Sequence, residues 1–512
     1  MRPQYQDVET SGFSAGQDLV DEETSLLHHA QTQPDGSLRA GDSFAPQDCW
    51  VKPPYLFLIE TGPDTAIFAN VFLAGFDGTV TASTYAVVSS ELKHADLASW
   101  ITTSYLLTST AIQPLYGRFS DIFGRRACLL LATAVFSLGC LGCACSPDMI
   151  TLIAMRAVTG LGGGGLMTMT TIINTDLIPK KHRGIYQAFQ NIIHGFGAIC
   201  GTSLGGLISD TIGWRGCFLA QVPVALAGLF LAATVVTAGK CQTVYNSGVW
   251  STVRKQLDLL GACLLFGGLV LLLASLTLSV DRSWSNPLVI TLFSISGLIL
   301  MAFFGQEYRC KALPILPLQM LMSRERVALL VSNMSLGFTA YGALFLMPFF
   351  FQTVLLDGAS AAGLRLVLPS LATPFGGLTT GIVMRCGGDR LTLITRLGLL
   401  AMLISNMLLL SLGMAEEKWK YSVYLILGNF AQGMVYPSIL FGFIGTATKL
   451  EHSVATSLVY LTRSLGTVLG VSAVATIVQG SVSKRLEAAF GDLPGSAKVC
   501  FEAVGEIDIC HS

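Results

Sequence analysis

A handful of ionisable side chains, chiefly those of Asp77, Arg156 and Arg463, lie inside long apolar runs of the sequence. Burial favours the neutral form of a carboxyl group, so Asp77 is suited to take up and release protons and, when ionised, to hold an ammonium group. The two arginines need a partner or water in apolar surroundings, and by default such residues mark a functional interior. Structural roles stay open: Asp77 can bond to neighbouring hydroxyl groups, and Arg156, near the end of its run, can extend to water.

Metal and enzyme chemistry find little support in the sequence. The tightest cysteine group, Cys140, Cys143 and Cys145, has no nearby His or fourth Cys to complete a zinc site. No nucleophile–base pair is recognisable, so an enzyme is the least favoured class. A net charge of −1, with Lys and Arg in short clusters, argues against a nucleic-acid partner. We expect no metal, no organic cofactor and no nucleic acid.

The composition indicates which elements carry these side chains. Charged residues are 12% of the 512 residues and hydrophobic residues are 52%, whereas soluble domains contain about 25% charged residues. The apolar runs are each near the ~20 residues that a helix needs to cross a bilayer. Thirteen runs are predicted to span the membrane: 66–90, 98–116, 127–146, 150–173, 186–208, 217–237, 257–280, 287–305, 327–352, 361–384, 393–413, 421–446 and 454–479.

The distribution of Lys and Arg predicts the orientation of these spans. With the N-terminus in the cytoplasm, most cations between spans fall in cytoplasmic loops, as in Arg118, Arg125 and Arg126. This is the pattern that the positive-inside rule describes. The odd number of spans then places the C-terminal tail outside the cell or in a lumen.

The N-terminal segment, residues 1–54, is acidic and is predicted to be a disordered cytoplasmic tail. It contains Glu22-Glu23-Thr24-Ser25-Leu26-Leu27. This stretch resembles the acidic dileucine sorting signal of endosomal and vacuolar membrane proteins, with Glu22, Leu26 and Leu27 as the matching residues. An incidental Leu pair in a tail is the alternative, because so short a motif arises easily by chance.

The strongest local pattern follows the second span, at residues 117–126. It matches G-x-x-x-D-x-x-G-R-[RK] and resembles motif A of the major facilitator superfamily of secondary transporters. The glycines permit a tight turn and close helix contact, and the aspartate can lie against the positive end of a helix from the other half. The arginines can pair with carboxylates or anionic lipid, or can serve only as topological anchors. The matching residues are Gly117, Asp121, Gly124, Arg125 and Arg126.

Two further motifs point to proton coupling. Arg156 is followed by Gly160 and Gly162–Gly164, which is similar to motif B of proton-coupled facilitators. Asp77 with Thr79 resembles the Asp-x-Thr of the fourteen-span drug:proton antiporters. The resemblance implies that Asp77 carries the proton or a substrate ammonium and that Arg156 biases its protonation.

A glycine pattern in the fifth span bears on transport direction. It resembles the exporter motif G-x-x-x-G-P-x-x-G-G, with Thr202 in place of the proline. The small residues would still pack helix against helix, but the proline kink is lost, so plain packing remains an alternative. The matching residues are Gly197, Gly201, Gly205 and Gly206.

The resemblance covers about residues 60–480 and implies an all-α polytopic membrane protein with the major facilitator fold. In the fourteen-span branch, two six-helix halves flank two extra central helices. Segments such as Trp100–Ala111 and Gly162–Gly165 resemble the fungal vacuolar basic amino acid transporters, which have a fourteenth span that we do not find after residue 479. The implied parts are the tail 1–54, a first half 55–237, a linker with the extra helices 238–306, a second half 307–480 and a polar tail 481–512.

Other polar residues inside the spans are candidates to line a cavity. Each one taken alone is more often a contact between helices than a ligand contact. They are Tyr105, Gln113, Asn191, His194, Asn333, Tyr341, Asn429, Gln432 and Tyr436.

Together these features predict a monomeric antiporter in the lipid bilayer that uses the proton gradient to move small organic solutes out of the cytosol. Basic amino acids entering the vacuole are the favoured cargo. The alternatives are plasma-membrane efflux of a drug-like or secondary metabolite and a transport-inactive, receptor-like protein.

Overall fold

Helices occupy all thirteen places where the sequence predicts a membrane span. The structure is a computed structural model and describes residues 63–94, 97–235, 258–282, 284–309, 314–356, 359–385, 390–411, 418–448 and 451–490. The predicted sorting signal at Glu22, Leu26 and Leu27 lies outside the described residues, as does the segment after residue 490. The helices are α1 (Pro63–Glu91), α2 (Ala98–Phe123), α3 (Arg125–Ala144), α4 (Met149–Leu177), α5 (Lys180–Thr211), α6 (Trp214–Leu219), α7 (Gln221–Val235), α8 (Leu259–Arg282), α9 (Pro287–Arg309), α10 (Arg324–Thr353), α11 (Ala359–Arg385), α12 (Leu391–Leu410), α13 (Lys418–Gly445) and α14 (His452–Phe490).

Thirteen spans arise from these fourteen helices because α6 and α7 together make one crossing. Eleven segments of the described chain are long and apolar enough to cross a membrane, and Trp214–Thr234 is one of them. The remaining two spans are α1, with the apolar stretch Thr65–Thr81, and α2, which carries several Thr and Ser residues. The protein is therefore a multi-pass integral membrane protein.

Local signals explain several helix ends. Gly124 separates α2 from α3 with a φ of 89°, a conformation that L side chains rarely adopt. Asp148 precedes α4 and accepts hydrogen bonds from the Thr151 backbone N–H at 3.1 Å and from its hydroxyl at 2.7 Å. These bonds hold the pKa of Asp148 below its usual range, and they satisfy one of the free N–H groups at the helix start.

The two halves of the bundle repeat the same packing pattern. In the first half α1 packs on α5, α2 on α4 and α3 on α4. In the second half α10 packs on α14, α11 on α13 and α12 on α13. This repetition is the internal duplication that transporter folds commonly contain.

The glycines of the exporter-like motif lie between α5 and α1. A Cβ at Gly197 would collide with the Phe72 carbonyl oxygen, and one at Gly201 with the Phe76 carbonyl oxygen. The Thr79 hydroxyl donates to the Ala198 carbonyl at 2.8 Å across the same contact. Small residues of this kind let two helix backbones approach closely, so the motif brings α1 and its Asp77 into position.

The other two glycines of the motif differ from this pair. The buried Gly205 accepts a hydrogen bond from the Cys217 thiol at its carbonyl oxygen, whereas Gly206 has open space where a Cβ would lie. In this motif Gly197 and Gly201 therefore pack closely against α1, whereas Gly206 at the other end does not.

The extra helices α8 and α9 pack on each other, and α8 also packs on α2 and α14. One apolar core joins side chains from α2, α8, α9, α10, α13 and α14. The extra pair therefore covers the line along which α2 of the first half meets α14 of the second.

We expect Gly201→Ala to destabilise the protein and Gly206→Ala to leave it nearly unchanged. The added methyl at Gly201 forces α1 away from α5, an overpacking effect of about 1–3 kcal/mol, whereas Gly206 has room for it. Thermal unfolding of the purified protein in detergent measures the difference. Equal midpoints for the two variants would contradict the close α1–α5 contact.

Candidate transport site

Asp77 in α1 and Arg156 in α4 form an ion pair inside the first half. Nη1 of Arg156 lies 2.8 Å from Oδ1 and 2.9 Å from Oδ2 of Asp77. The Arg156 side chain is 1% exposed and that of Asp77 is 0% exposed. The alternatives left by the sequence, a hydroxyl partner for Asp77 and water for Arg156, are replaced by this pair. Two buried charges offset each other's desolvation only when they are paired in good geometry.

Two further helices hold the guanidinium of Arg156. Its Nε donates to the Ile101 carbonyl of α2 at 3.3 Å. Its central carbon lies 4.6 Å from the ring centroid of Tyr105 in α2 and 5.6 Å from that of Phe218 in α6, within the range of a cation–π interaction. A Cβ at Gly163 would collide with the Tyr105 hydroxyl, so the glycine run after Arg156 makes the room that Tyr105 needs.

Arg463 in α14 contacts two aromatic rings rather than a carboxylate. Its guanidinium carbon lies 4.0 Å from the ring centroid of Tyr436 and 4.8 Å from that of Tyr460. None of the ion pairs found among the described residues includes Arg463, and its Nε is buried without a hydrogen-bond partner. The described part of the second half therefore presents a positive charge that a ligand anion can pair with.

Three predicted cavity residues line one cavity in the second half. Tyr341, Asn429 and Gln432 contribute to a space of about 110 Å³ enclosed by α10, α11, α12 and α13. Ser405 and Asn406 of α12 add polar groups that the sequence had not singled out. Most of the other lining side chains are apolar, including several Leu and Met.

Three other predicted cavity residues lie outside the lining of that cavity. Asn333 donates to the Val459 carbonyl at 2.6 Å and to the Thr462 hydroxyl at 2.9 Å, which ties α10 to α14. Asn191 accepts from the Gln187 side chain at 3.5 Å within α5. His194 is half-buried, and a Cβ at Gly75 of α1 would collide with its carbonyl oxygen.

Motif A forms a charged cluster at the end of α2. Nη1 of Arg125 lies 2.7 Å from Oδ1 of Asp121, and Nε of Arg125 lies 2.9 Å from Oδ2 of Asp176 in α4. Arg118 is 3.7 Å from the other Asp121 oxygen, and Arg126 donates to a carbonyl of α7. Asp121 thus bonds within its own half, and the contact with the other half is made by a neighbouring glycine.

That glycine belongs to a surface that we call the cytoplasmic gate: Gly117, Gly184 and Ala188 of the first half with the α14 and α11 residues that they touch. A Cβ at Gly117 would collide with the Ser457 hydroxyl of α14. A Cβ at Gly184 would lie 2.6 Å from Cα of Gly381 in α11. These positions lie at the helix ends that the sequence predicts to face the cytoplasm, and the two halves are in close contact there.

Polar bonds join the two halves further into the bundle. The hydroxyl oxygens of Thr171 in α4 and Tyr460 in α14 are 2.7 Å apart. Ser464 donates to Oε1 of Gln113 at 3.2 Å, which places one of the predicted cavity residues between the halves. Tyr460 was missed from the sequence, although it precedes Arg463 by three residues and so shares its helix face.

A duplicated bundle of membrane-spanning helices with a buried ion pair between them is an architecture typical of secondary transporters. The family model of the Major Facilitator Superfamily matches residues 67–471, and the chain belongs to that superfamily. It acts on small-molecule substrates in a membrane.

Relatives and solved structures agree with this assignment. Vacuolar basic amino acid transporter 2 of Saccharomyces cerevisiae is 42% identical over 76% of this chain and 83% of its own length. Multidrug resistance protein fnx1 of Schizosaccharomyces pombe is 36% identical over 84% of this chain and 81% of its own. The crystal structure of the human organic anion transporter MFSD10 is similar with a TM-score of 0.58 at 15% identity, covering 81% of this chain and 92% of that one, which shows the fold alone.

We expect Arg156→Met to lower the free energy of unfolding by about 3–5 kcal/mol, because it leaves Asp77 buried without its partner. The double variant Asp77→Asn/Arg156→Met should regain much of that loss, since it removes both charges. Thermal unfolding of the four proteins in detergent forms a double-mutant cycle. A double variant as unstable as the sum of the single changes would show that the two groups do not interact.

Proposed function

We propose that the chain is a proton-coupled antiporter that moves basic amino acids from the cytosol into the vacuole. The observation that carries the proposal is the buried Asp77–Arg156 pair. It places one carboxylate, with one exchangeable partner, near the middle of α1. Ionisable groups inside a membrane typically serve proton or substrate pathways.

Exclusive occupancy of one carboxylate explains how antiport would arise. Asp77 can be neutralised by a proton or can pair with a cation, and it cannot do both at once. A substrate ammonium would pair with Asp77 in place of Arg156, and a proton arriving from an acidic lumen would displace that ammonium. Return of the carrier to the cytosolic side would release the proton, so each direction of movement carries a different ligand. Arg156 would pair with Asp77 again between these events.

The proposed cargo rests on two opposite charges, Asp77 in the first half and Arg463 in the second. Arg463, which has no carboxylate partner among the described residues, would bind the carboxylate of an amino acid. Asp77 would meet the cationic group. The relative named as a basic amino acid transporter, at 42% identity, supports the same cargo.

The site of action in the cell is proposed on similar grounds. The relative just named is vacuolar, and the tail contains the dileucine-like stretch with Glu22, Leu26 and Leu27. A vacuolar membrane would also supply the acidic lumen that proton-driven antiport requires.

Efflux of a drug-like solute is the second candidate. The cavity of about 110 Å³ is lined mainly by apolar side chains, which suits an apolar ligand better than an amino acid. The relative named as a multidrug resistance protein, at 36% identity, favours the same alternative. Motif A and the cytoplasmic gate would serve either cargo, so the choice depends on binding groups rather than on the fold.

Uptake of labelled lysine, arginine and histidine into inside-acidic proteoliposomes tests the proposal. We expect the wild-type chain to accumulate at least one of them and to lose accumulation when the proton gradient is collapsed. Asp77→Asn should abolish gradient-driven uptake. Asp210→Asn changes an exposed carboxylate of α5 and should leave uptake unchanged.

Two results would overturn parts of the proposal separately. If none of the three amino acids accumulates, the cargo is wrong, and an apolar cation tested in the same vesicles examines the second candidate. If Asp77→Asn keeps gradient-driven accumulation, the coupling role of the buried pair is wrong.

A further inference from the structure

The segment that follows the extra helix α9 contacts Arg118 of motif A as well as the apolar core. Glu307 lies near the end of α9 and is 5% exposed, although a carboxylate normally lies in water. Its Oε1 accepts a hydrogen bond from the Leu316 backbone N–H at 2.6 Å. The carboxylate therefore holds a turn of the chain that follows α9.

That turn presents an acceptor to motif A. The segment Pro314-Ile315-Leu316-Pro317 has two prolines, which restrict φ and provide no N–H donors. Ile315 and Leu316 are buried in the core that joins α2, α8, α10 and α14. The Pro314 carbonyl accepts a hydrogen bond from the Arg118 guanidinium, and Arg118 also lies within electrostatic range of Glu307.

This contact joins parts of the molecule that belong to different halves. Arg118 is one residue after Gly117, which touches Ser457 of α14 in the cytoplasmic gate. The turn at 314–317 packs with α10, α13 and α14 side chains of the second half. If the halves separate at their cytoplasmic ends, the Arg118–Pro314 bond connects one moving part to the other.

We propose that Glu307 is a positioning residue of the cytoplasmic gate. By holding the 314–317 turn, it places the Pro314 carbonyl against Arg118. The extra helix pair then contributes to the stability of the closed state. The proposal rests on the chain being a transporter that opens towards the cytoplasm. It does not depend on the cargo. Loss of the Glu307–Leu316 bond would shift the balance towards the cytoplasm-open state.

Alkylation of a thiol buried in the gate measures that balance without any substrate. Ala188 is 0% exposed, so a thiol introduced by Ala188→Cys reacts with a membrane-impermeant maleimide only when the gate opens. The full chain is reconstituted in liposomes, and tandem mass spectrometry localises the modified site among the native cysteines. The folded fraction is checked by size-exclusion chromatography.

In this background we expect Glu307→Ala to raise the alkylation rate about tenfold, as expected when a hydrogen bond to a charged acceptor is lost from one of two states. Glu307→Gln keeps an oxygen acceptor for Leu316 and should stay within about twofold of the reference rate. Gly297→Ala, on α9 with open space around it, should have no effect. Arg118→Met should raise the rate, and adding Glu307→Ala to it should cause little further change.

Three outcomes would overturn the proposal. They are an unchanged rate in folded Glu307→Ala protein, an equal increase in Glu307→Gln, and full additivity with Arg118→Met. If Glu307→Ala does not fold, the Arg118→Met variant tests the proposal by itself. An alkylation rate equal to the reference rate would then show that the Pro314 contact does not hold the gate. Since lysine uptake by the wild-type chain is a separate measurement, failure here is distinct from failure of the proposed cargo.

Discussion

The structure depends on one electrostatic constraint: a charge buried among apolar helices must be paired. Asp77 and Arg156 pair with each other, and glycines on two helices allow the close packing that this pair needs. The glycines of α5 bring α1 close enough, and the glycine run of α4 admits Tyr105 beside the guanidinium. A pair of this kind is weak support for stability in itself, which is consistent with the exchange of partners proposed above.

The cytoplasmic gate holds the two halves together through close backbone contacts rather than through an ion pair. Gly117, Gly184 and Ala188 bring helix backbones of the two halves together with little side-chain volume, and two hydrogen bonds between the halves lie further into the bundle. Contacts of this type can separate without leaving a buried charge unpaired. The ion pairs of motif A stay within the first half, where they can keep the end of α2 rigid while the halves move.

The sequence predicted the helices well because membrane spans leave a strong signal: length, low charge and the distribution of cations are all local properties. It also identified Asp77, Arg156 and Arg463 as unusual, and the family resemblance implied that Arg156 acts on Asp77. The residues alone did not give the direct ion pair, because a sequence without alignment carries no distance between α1 and α4. Asn333 was a cavity candidate with a helix contact as the more frequent alternative, and it binds a backbone carbonyl and a hydroxyl on α14. Glu307 was missed because it lies near the end of an apolar run, where a carboxylate usually reaches water.

A cross-link across the gate tests most directly whether these halves separate during transport. A Cβ at Gly377 of α11 would lie 3.5 Å from that of Ala188, within the usual separation of about 3.5–4.5 Å in disulfides. In the double variant Ala188→Cys/Gly377→Cys, oxidation should join α5 to α11 and stop lysine uptake into proteoliposomes, and reduction should restore it, with each single variant unaffected by oxidant. A fully cross-linked protein that transports at the uncross-linked rate would contradict the account.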